Sequence, residues 1–182
     1  VFSAFNKDFD LMKAAFYIPV IISALSVIPT FFIARRISGN LGGLIAAIMV
    51  AVHPALLGRT AGGFADTDAY NVFFPLVITW LFLEAFESKN LKAKIIFASL
   101  AGFFVGLFAF SWMGWWYIFD FIIAAILFYI IYSVLAHRDQ LKKGISHFIL
   151  NTPIKSTLFL LITFILTSGI FVTLFANLDT FR

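Results

Sequence analysis

One short polar segment holds the residues whose types and spacing point most directly to chemistry. Arg59 is followed seven residues later by Asp66 and then by Asp68, with Gly62 and Gly63 between them. Carboxylate oxygens suit Mg²⁺ and Mn²⁺, and Mg²⁺ is often held by one or two carboxylates together with substrate phosphate. Because glycine lets the segment fold back, the Arg59 guanidinium could approach the acids and bind phosphate in a forked geometry. The pattern predicts a divalent-metal site at the two aspartates and a substrate-binding role for the arginine.

A simpler role for the two acids is helix capping. Aspartate is a favoured N-cap residue, and acids near a helix N-terminus interact favourably with the helix dipole. A cap requires one aspartate, so the second aspartate and the arginine favour a binding site. Both interpretations stay open at this point.

Two other polar residues stand beside or inside apolar runs. Asp120 follows a cluster of aromatic residues, and carboxylates inside a membrane are functional candidates by default. Its shallow position favours an interfacial aspartate bonded to a neighbouring helix. His53 precedes Pro54 and has no second ligand at a metal-binding spacing, so we expect it to be bonded inside the bundle.

The composition assigns the class of protein. The chain is 62% hydrophobic and 12% charged, with a mean hydropathy of +1.02, whereas a soluble domain carries about 25% charged residues. It is therefore expected to be an integral membrane protein in contact with membrane lipid. It has no cysteine, which excludes disulfides and cysteine metal sites. The basic residues lie in loops between apolar runs, so the net charge of +4 does not indicate a nucleic-acid partner.

Five apolar runs are candidates to cross a bilayer as helices. Residues 95–136 as one helix would reach about 63 Å, roughly twice the hydrocarbon thickness, so this run must turn back. Gly114 and the tryptophans around it mark the turn. The runs lack the alternation of barrel strands, so the fold class is all-α, a polytopic transmembrane helical bundle. The predicted spans are 14–34, 41–58, 69–86, 95–111, 115–136 and 156–176.

The basic residues are distributed unevenly between the two sides of this bundle. Cytoplasmic loops carry an excess of lysine and arginine, so we assign the richer side to the cytoplasm. The Asp66 loop and both ends of the segment then face the outside of the plasma membrane. The richer side holds Arg35, Arg36, Lys89, Lys92, Lys94, Arg138, Lys142, Lys143 and Lys155, and the other side holds Lys7, Lys13, Arg59 and Arg182.

The start of the sequence suggests a part of a longer protein. The first residue is Val1, and a polar lead without a signal peptide precedes the first span. We therefore expect an internal segment of a larger membrane protein.

The sequence around the acids resembles the catalytic subunit of archaeal oligosaccharyltransferases. The similarity lies in AIMVAVHP at 47–54, RTAGGFADTD at 59–68 and NVFFPL at 71–76, and WMGWW at 112–116 is similar too. The resemblance implies the membrane-embedded glycosyltransferase fold. It also implies an enzyme that transfers an oligosaccharide from a dolichyl or polyprenyl phosphate or pyrophosphate to the asparagine of Asn-x-Ser/Thr in a polypeptide.

The resemblance also implies roles for single residues. Asp66 would be a ligand of the catalytic Mg²⁺ or Mn²⁺, and Asp68 a second ligand or its close partner. Arg59 would act near the acceptor and the phosphate-bearing leaving group. The family's first span, a further aspartate, a later glutamate and a soluble C-terminal domain would lie outside this sequence, so we expect the segment alone to be inactive.

Three alternative functions stay open. One is another membrane glycosyltransferase that uses a polyprenyl-phosphate sugar on a different acceptor. A second is a cation transporter that uses Asp120 and the Asp66 loop, although no span carries an acid near its middle. The third is an accessory membrane subunit, in which the acids serve only as caps.

Overall fold

Helices account for almost all of the computed structural model, which describes residues 11–62, 66–138 and 153–176. No strand occurs within these ranges, and five helical stretches are long and apolar enough to cross a membrane. The all-α, polytopic class is thereby confirmed. The helices are α1 Leu11–Leu25, α2 Val27–Ala51, α3 Pro54–Thr60, α4 Asp68–Glu87, α5 Leu91–Ser111, α6 Trp116–Ala136 and α7 Ile154–Ala176.

Helix α2 reverses its direction at Gly39. This residue has φ of 71° and ψ of −173°, a backbone conformation that favours glycine. A Cβ atom built on Gly43 would lie 2.9 Å from the carbonyl oxygen of Phe31, although a straight helix would separate the two residues by about 18 Å. The two arms of α2 therefore pack against each other. The stretch Ala15–Ala51, which counts as one of the five candidate spans, contains this reversal.

The predicted span 41–58 is divided near its outer end. Helix α2 ends at Ala51, and α3 starts at Pro54. Proline restricts the residue before it to an extended conformation, and His53 has φ of −64° and ψ of 118°. The division gives α3 a direction of its own, separate from α2.

By its internal contacts the chain forms two compact units, Val1–Trp80 and Leu81–Arg182, with the boundary inside α4. Each unit is described by itself. Several residues named above lie outside the described ranges: Lys7, Gly63, Lys142, Lys143 and Arg182.

Two contacts hold the helices of the first unit together. The buried hydroxyls of Ser23 in α1 and Thr60 in α3 share a hydrogen bond of 3.2 Å. The rings of Phe32 in α2 and Trp80 in α4 are stacked, with centroids 4.7 Å apart. The first contact fixes the end of α3 that carries the candidate arginine.

In the second unit α5 and α7 run parallel and pack closely. Lys94 Nζ near the start of α5 donates a hydrogen bond to Ser156 Oγ near the start of α7. Further along both helices, the rings of Phe103 and Phe171 lie 5.2 Å apart. A Cβ atom built on Gly106 would lie 2.9 Å from the Phe171 carbonyl oxygen, so glycine permits the close approach, as is common between membrane helices.

The predicted turn of the long apolar run lies between α5 and α6. The C-terminal end of α5 is followed by Trp112 and a short 3-10 turn, Met113–Trp115. Trp115 is buried, whereas Met113 and Trp116 are exposed. Exposed tryptophan at a helix end is typical of a membrane–water interface.

Candidate functional site

An ion pair joins the end of α3 to the start of α4. Arg59 Nη1 lies 3.3 Å from Asp68 Oδ2. The side chain of Arg59 is 67% exposed and that of Asp68 is 37% exposed. The guanidinium therefore reaches one of the two aspartates, while both groups stay accessible to a ligand.

Asp66 lies just before α4 and is exposed. Its Oδ1 accepts a hydrogen bond of 2.7 Å from the backbone amide of Thr67. The carbonyl oxygen of Thr67 in turn accepts from the amides of Tyr70 and Asn71, so the first turn of the helix is built on Thr67. An N-cap side chain accepts from an amide two or three residues further along, and the hydrogen bond of Asp66 is not of this kind. Asp66 is therefore not the N-cap of α4.

An open cleft of about 410 Å³ lies between α3 and the first turn of α4. Ligand sites for small molecules span about 300–1,000 Å³ and combine apolar walls with a few polar groups, and the cleft matches both features. The lining residues are His53, Ala55, Leu56, Arg59, Asp68, Asn71 and Val72.

The expectation that His53 is bonded inside the bundle is wrong. Its side chain is exposed and lines this cleft. Its carbonyl oxygen accepts the first backbone hydrogen bond of α3, from the Leu57 amide at 2.9 Å. The sequence feature that could have indicated this position is Pro54. It marks the start of a short helix, and the other end of that helix bears Arg59.

Asp120 is exposed near the start of α6. Within the described ranges it makes no hydrogen bond to a neighbouring helix. The predicted bond is therefore not present in this part of the chain.

Asp66 and Asp68 could hold a divalent cation in part. Among the described residues no group of three or more His, Cys, Asp or Glu side chains is placed to hold a metal. Mg²⁺, however, is often bound by one or two carboxylates, with water and substrate phosphate completing its shell. The exposed and half-exposed carboxylates are accessible to such a shell. Their oxygen atoms are of the type that Mg²⁺ binds, and other groups would have to complete its shell.

Comparison with known proteins shows which family the chain is similar to. The family model described as "Oligosaccharyl transferase STT3, N-terminal" matches residues 1–182. The chain is 35% identical to a dolichyl-phosphooligosaccharide-protein glycotransferase of Methanococcus voltae over 146 residues. This match covers 78% of this chain and 16% of that protein. It is 31% identical to the protein of the same name in Methanocaldococcus jannaschii over 177 residues. This match covers 92% of this chain and 19% of that protein.

A bacterial relative is more distant. The undecaprenyl-diphosphooligosaccharide–protein glycotransferase of Campylobacter jejuni is 25% identical over 134 residues, which is 72% of this chain and 18% of that protein. The chain thus spans less than a fifth of the length of these relatives. No solved structure matches it. Because the family model covers the whole sequence, the chain belongs to the oligosaccharyl transferase STT3 family.

Proposed function

We propose that this chain is the membrane part of an enzyme that transfers an oligosaccharide from a lipid-linked phosphate to a protein. The names of its relatives describe donors that are dolichyl-phospho- or undecaprenyl-diphospho-oligosaccharides and acceptors that are proteins. The observation that carries the proposal is the Arg59–Asp68 ion pair beside the exposed Asp66. Family membership favours glycosyl transfer over the transport and accessory alternatives.

Each of the three residues has a role in this proposal. Asp66 and Asp68 would hold Mg²⁺ or Mn²⁺, for which their oxygen atoms are suitable ligands. A cation held there would supply positive charge to offset the negative charge that develops on the departing phosphate. Arg59 binds phosphate oxygens through the guanidinium nitrogens that the contact with Asp68 leaves available, since the group has five N–H donors.

The acceptor in this proposal is the asparagine of an Asn-x-Ser/Thr sequence. A carboxamide nitrogen is a weak nucleophile, so the enzyme must hold it in line with the sugar carbon that it attacks. We propose that groups outside this chain position the acceptor and complete the metal shell. The chain alone should then be inactive.

The reaction is proposed to take place on the outer side of the plasma membrane. Nine of the thirteen basic residues fall in loops or near helix ends on the side that the sequence places opposite to the Asp66 loop, and an excess of basic residues is typical of the cytoplasmic side. The cleft and the two aspartates would then face outside, where a polar glycan can reach them.

A transfer assay with the full-length protein tests the proposed function. The protein is reconstituted in nanodiscs with a lipid-linked oligosaccharide and a fluorescent peptide that contains Asn-Ala-Thr, and the matched control peptide contains Gln-Ala-Thr. We expect a mass increase equal to the glycan on the asparagine peptide alone, and its loss on chelation of divalent metal. Transfer to a lipid or hydroxyl acceptor with an unmodified peptide would assign the protein to another class of glycosyltransferase, and ion flux without transfer would assign it to transport.

A further inference from the structure

We propose that the cleft between α3 and α4 binds the sugar ring that carries the phosphate of the donor, and that His53 hydrogen-bonds to a hydroxyl of that ring. The proposal rests on the proposed function and adds a residue and a subsite to it. Among the described residues, His53 is the histidine that lines the cleft. The proposed function uses Asp66 and Asp68 for the metal and Arg59 for the phosphate, and it does not use His53.

The short helix α3 places His53 and Arg59 at its two ends. Six residues of helix separate them by about 9 Å along the axis, and both line the cleft. This separation is longer than a single phosphate group. A phosphate held at Arg59 therefore leaves room for the attached ring toward His53.

Contacts at both ends of α3 hold the helix, so the backbone of His53 is fixed beside the cleft. At the first end, Pro54 restricts the backbone of His53, and the Leu57 amide donates to the carbonyl oxygen of His53. At the other end, the buried Thr60 hydroxyl is hydrogen-bonded to Ser23 and donates to the Leu56 carbonyl oxygen at 2.7 Å. A binding group on a rigid element loses little freedom when its ligand arrives.

The chemistry of the cleft suits a sugar better than a phosphate alone. The charge of Arg59 is offset by Asp68 at 3.3 Å, so the cleft is close to neutral. His53 and Asn71 add an imidazole and a carboxamide, which both donate and accept hydrogen bonds, as sugar hydroxyls do. A phosphate would use donors and positive charge and would not need an apolar wall. The side chains that can cover the carbon–hydrogen face of a ring are Ala55, Leu56 and Val72.

The test compares the full-length protein with its His53→Ala variant in the transfer assay. We expect the KM for the lipid-linked donor to rise about fivefold. A lost hydrogen bond costs about 1 kcal/mol, and about 1.4 kcal/mol corresponds to a tenfold change. The KM for the peptide should not change. His53→Gln keeps a donor and an acceptor and should recover most of the affinity. The matched control is His137→Gln at the end of α6, which should behave as wild type.

The binding of two ligands separates a sugar subsite from a phosphate subsite. The wild-type protein should bind the lipid-linked oligosaccharide more tightly than the same lipid phosphate without sugar, and His53→Ala should reduce only the first affinity. An equal loss for both ligands would overturn the proposal in favour of phosphate binding. A rise in the peptide KM, or an unchanged donor KM, would also overturn it. Because binding is measured without turnover, wild-type protein that fails to transfer glycan would refute the proposed function and leave this test valid.

Discussion

Arg59 Nη1 lies 3.3 Å from Asp68 Oδ2, so one contact joins the end of α3 to the first residue of α4. Both side chains are exposed to a large degree, and exposed pairs contribute only about 0–1 kcal/mol to the free energy of unfolding. The contact therefore matters more for the orientation of the two groups than for stability. The variants below separate these two effects.

Arg59→Ala should reduce activity much more than stability. We expect kcat/KM for glycan transfer to fall about 10²-fold, as when one charge-stabilising donor is removed from an active site. The melting temperature should change little because the ion pair is exposed. Arg59→Lys should recover only part of the loss, since lysine lacks the forked geometry.

The matched control for this prediction is Arg35→Ala in the full-length protein. Arg35 is an exposed arginine of the first unit whose guanidinium lies 5.9 Å from the centre of the Phe32 ring. Its removal should leave kcat/KM unchanged. Full activity of Arg59→Ala, or an equal loss in both variants, would contradict the role of Arg59.

Asp66→Asn should weaken the response to metal. Removing a residue that only supports a metal ligand lowers metal affinity about 10–100-fold. Removing the charge of a ligand itself should have at least as large an effect, so we expect the half-maximal Mg²⁺ or Mn²⁺ concentration to rise at least about tenfold. The measurement is the initial rate of transfer as a function of metal concentration. Asp120→Asn, which removes another exposed carboxylate, is the control and should leave the curve unchanged. Identical curves for Asp66→Asn and wild type would exclude Asp66 as a ligand.

Two glycines on the packed helices should respond to substitution with opposite signs. Gly106→Val adds atoms where a Cβ would already meet Phe171, so overpacking should lower stability by about 1–3 kcal/mol. Gly169→Ala in α7 meets nothing within 4 Å and should raise stability by about 0.5–1 kcal/mol through helix propensity. Thermal unfolding in one detergent measures both. A stabilising Gly106→Val would show that α5 and α7 do not approach as described.

The buried hydroxyl pair of Ser23 and Thr60 should be energetically coupled. Thr60→Val removes the hydrogen bond and leaves the Ser23 hydroxyl buried without this partner, at a cost of about 1–3 kcal/mol. In the double variant with Ser23→Ala the loss should be smaller than the sum of the single losses, by about 0.5–1.5 kcal/mol. Denaturant unfolding of the four proteins gives this coupling. Strict additivity would mean that the bond contributes nothing to the position of α3.

The sequence predicted the membrane helices because length and apolar composition determine them locally. The apolar run 95–136 is too long for one crossing, and its turn lies where Gly114 and the tryptophans stand. Proline and glycine decided the details that composition could not. Pro54 ends the predicted span 41–58 early, and Gly39 sets the point where α2 reverses.

The candidate site was predictable only in part. Arg59, Asp66 and Asp68 lie within ten residues of each other, so their spacing suggested one site. Whether His53 lines the cleft depends on how α3 lies against α4. A local sequence pattern does not show which side chains of two helices line the same cleft. A single histidine also lacks the repeated spacing that identifies a metal ligand.

The double variant Asp66→Ala/Asp68→Ala tests the central claim most directly. The measurement is the initial rate at which the full-length protein forms glycopeptide at saturating Mg²⁺ or Mn²⁺, followed by mass spectrometry beside a thermal-unfolding control. The account predicts a loss of at least about 10²-fold in a protein that remains folded, because the charge on the departing phosphate is no longer offset. A folded double variant that transfers glycan at the wild-type rate would contradict the account and leave the two acids with only a structural role at the start of α4.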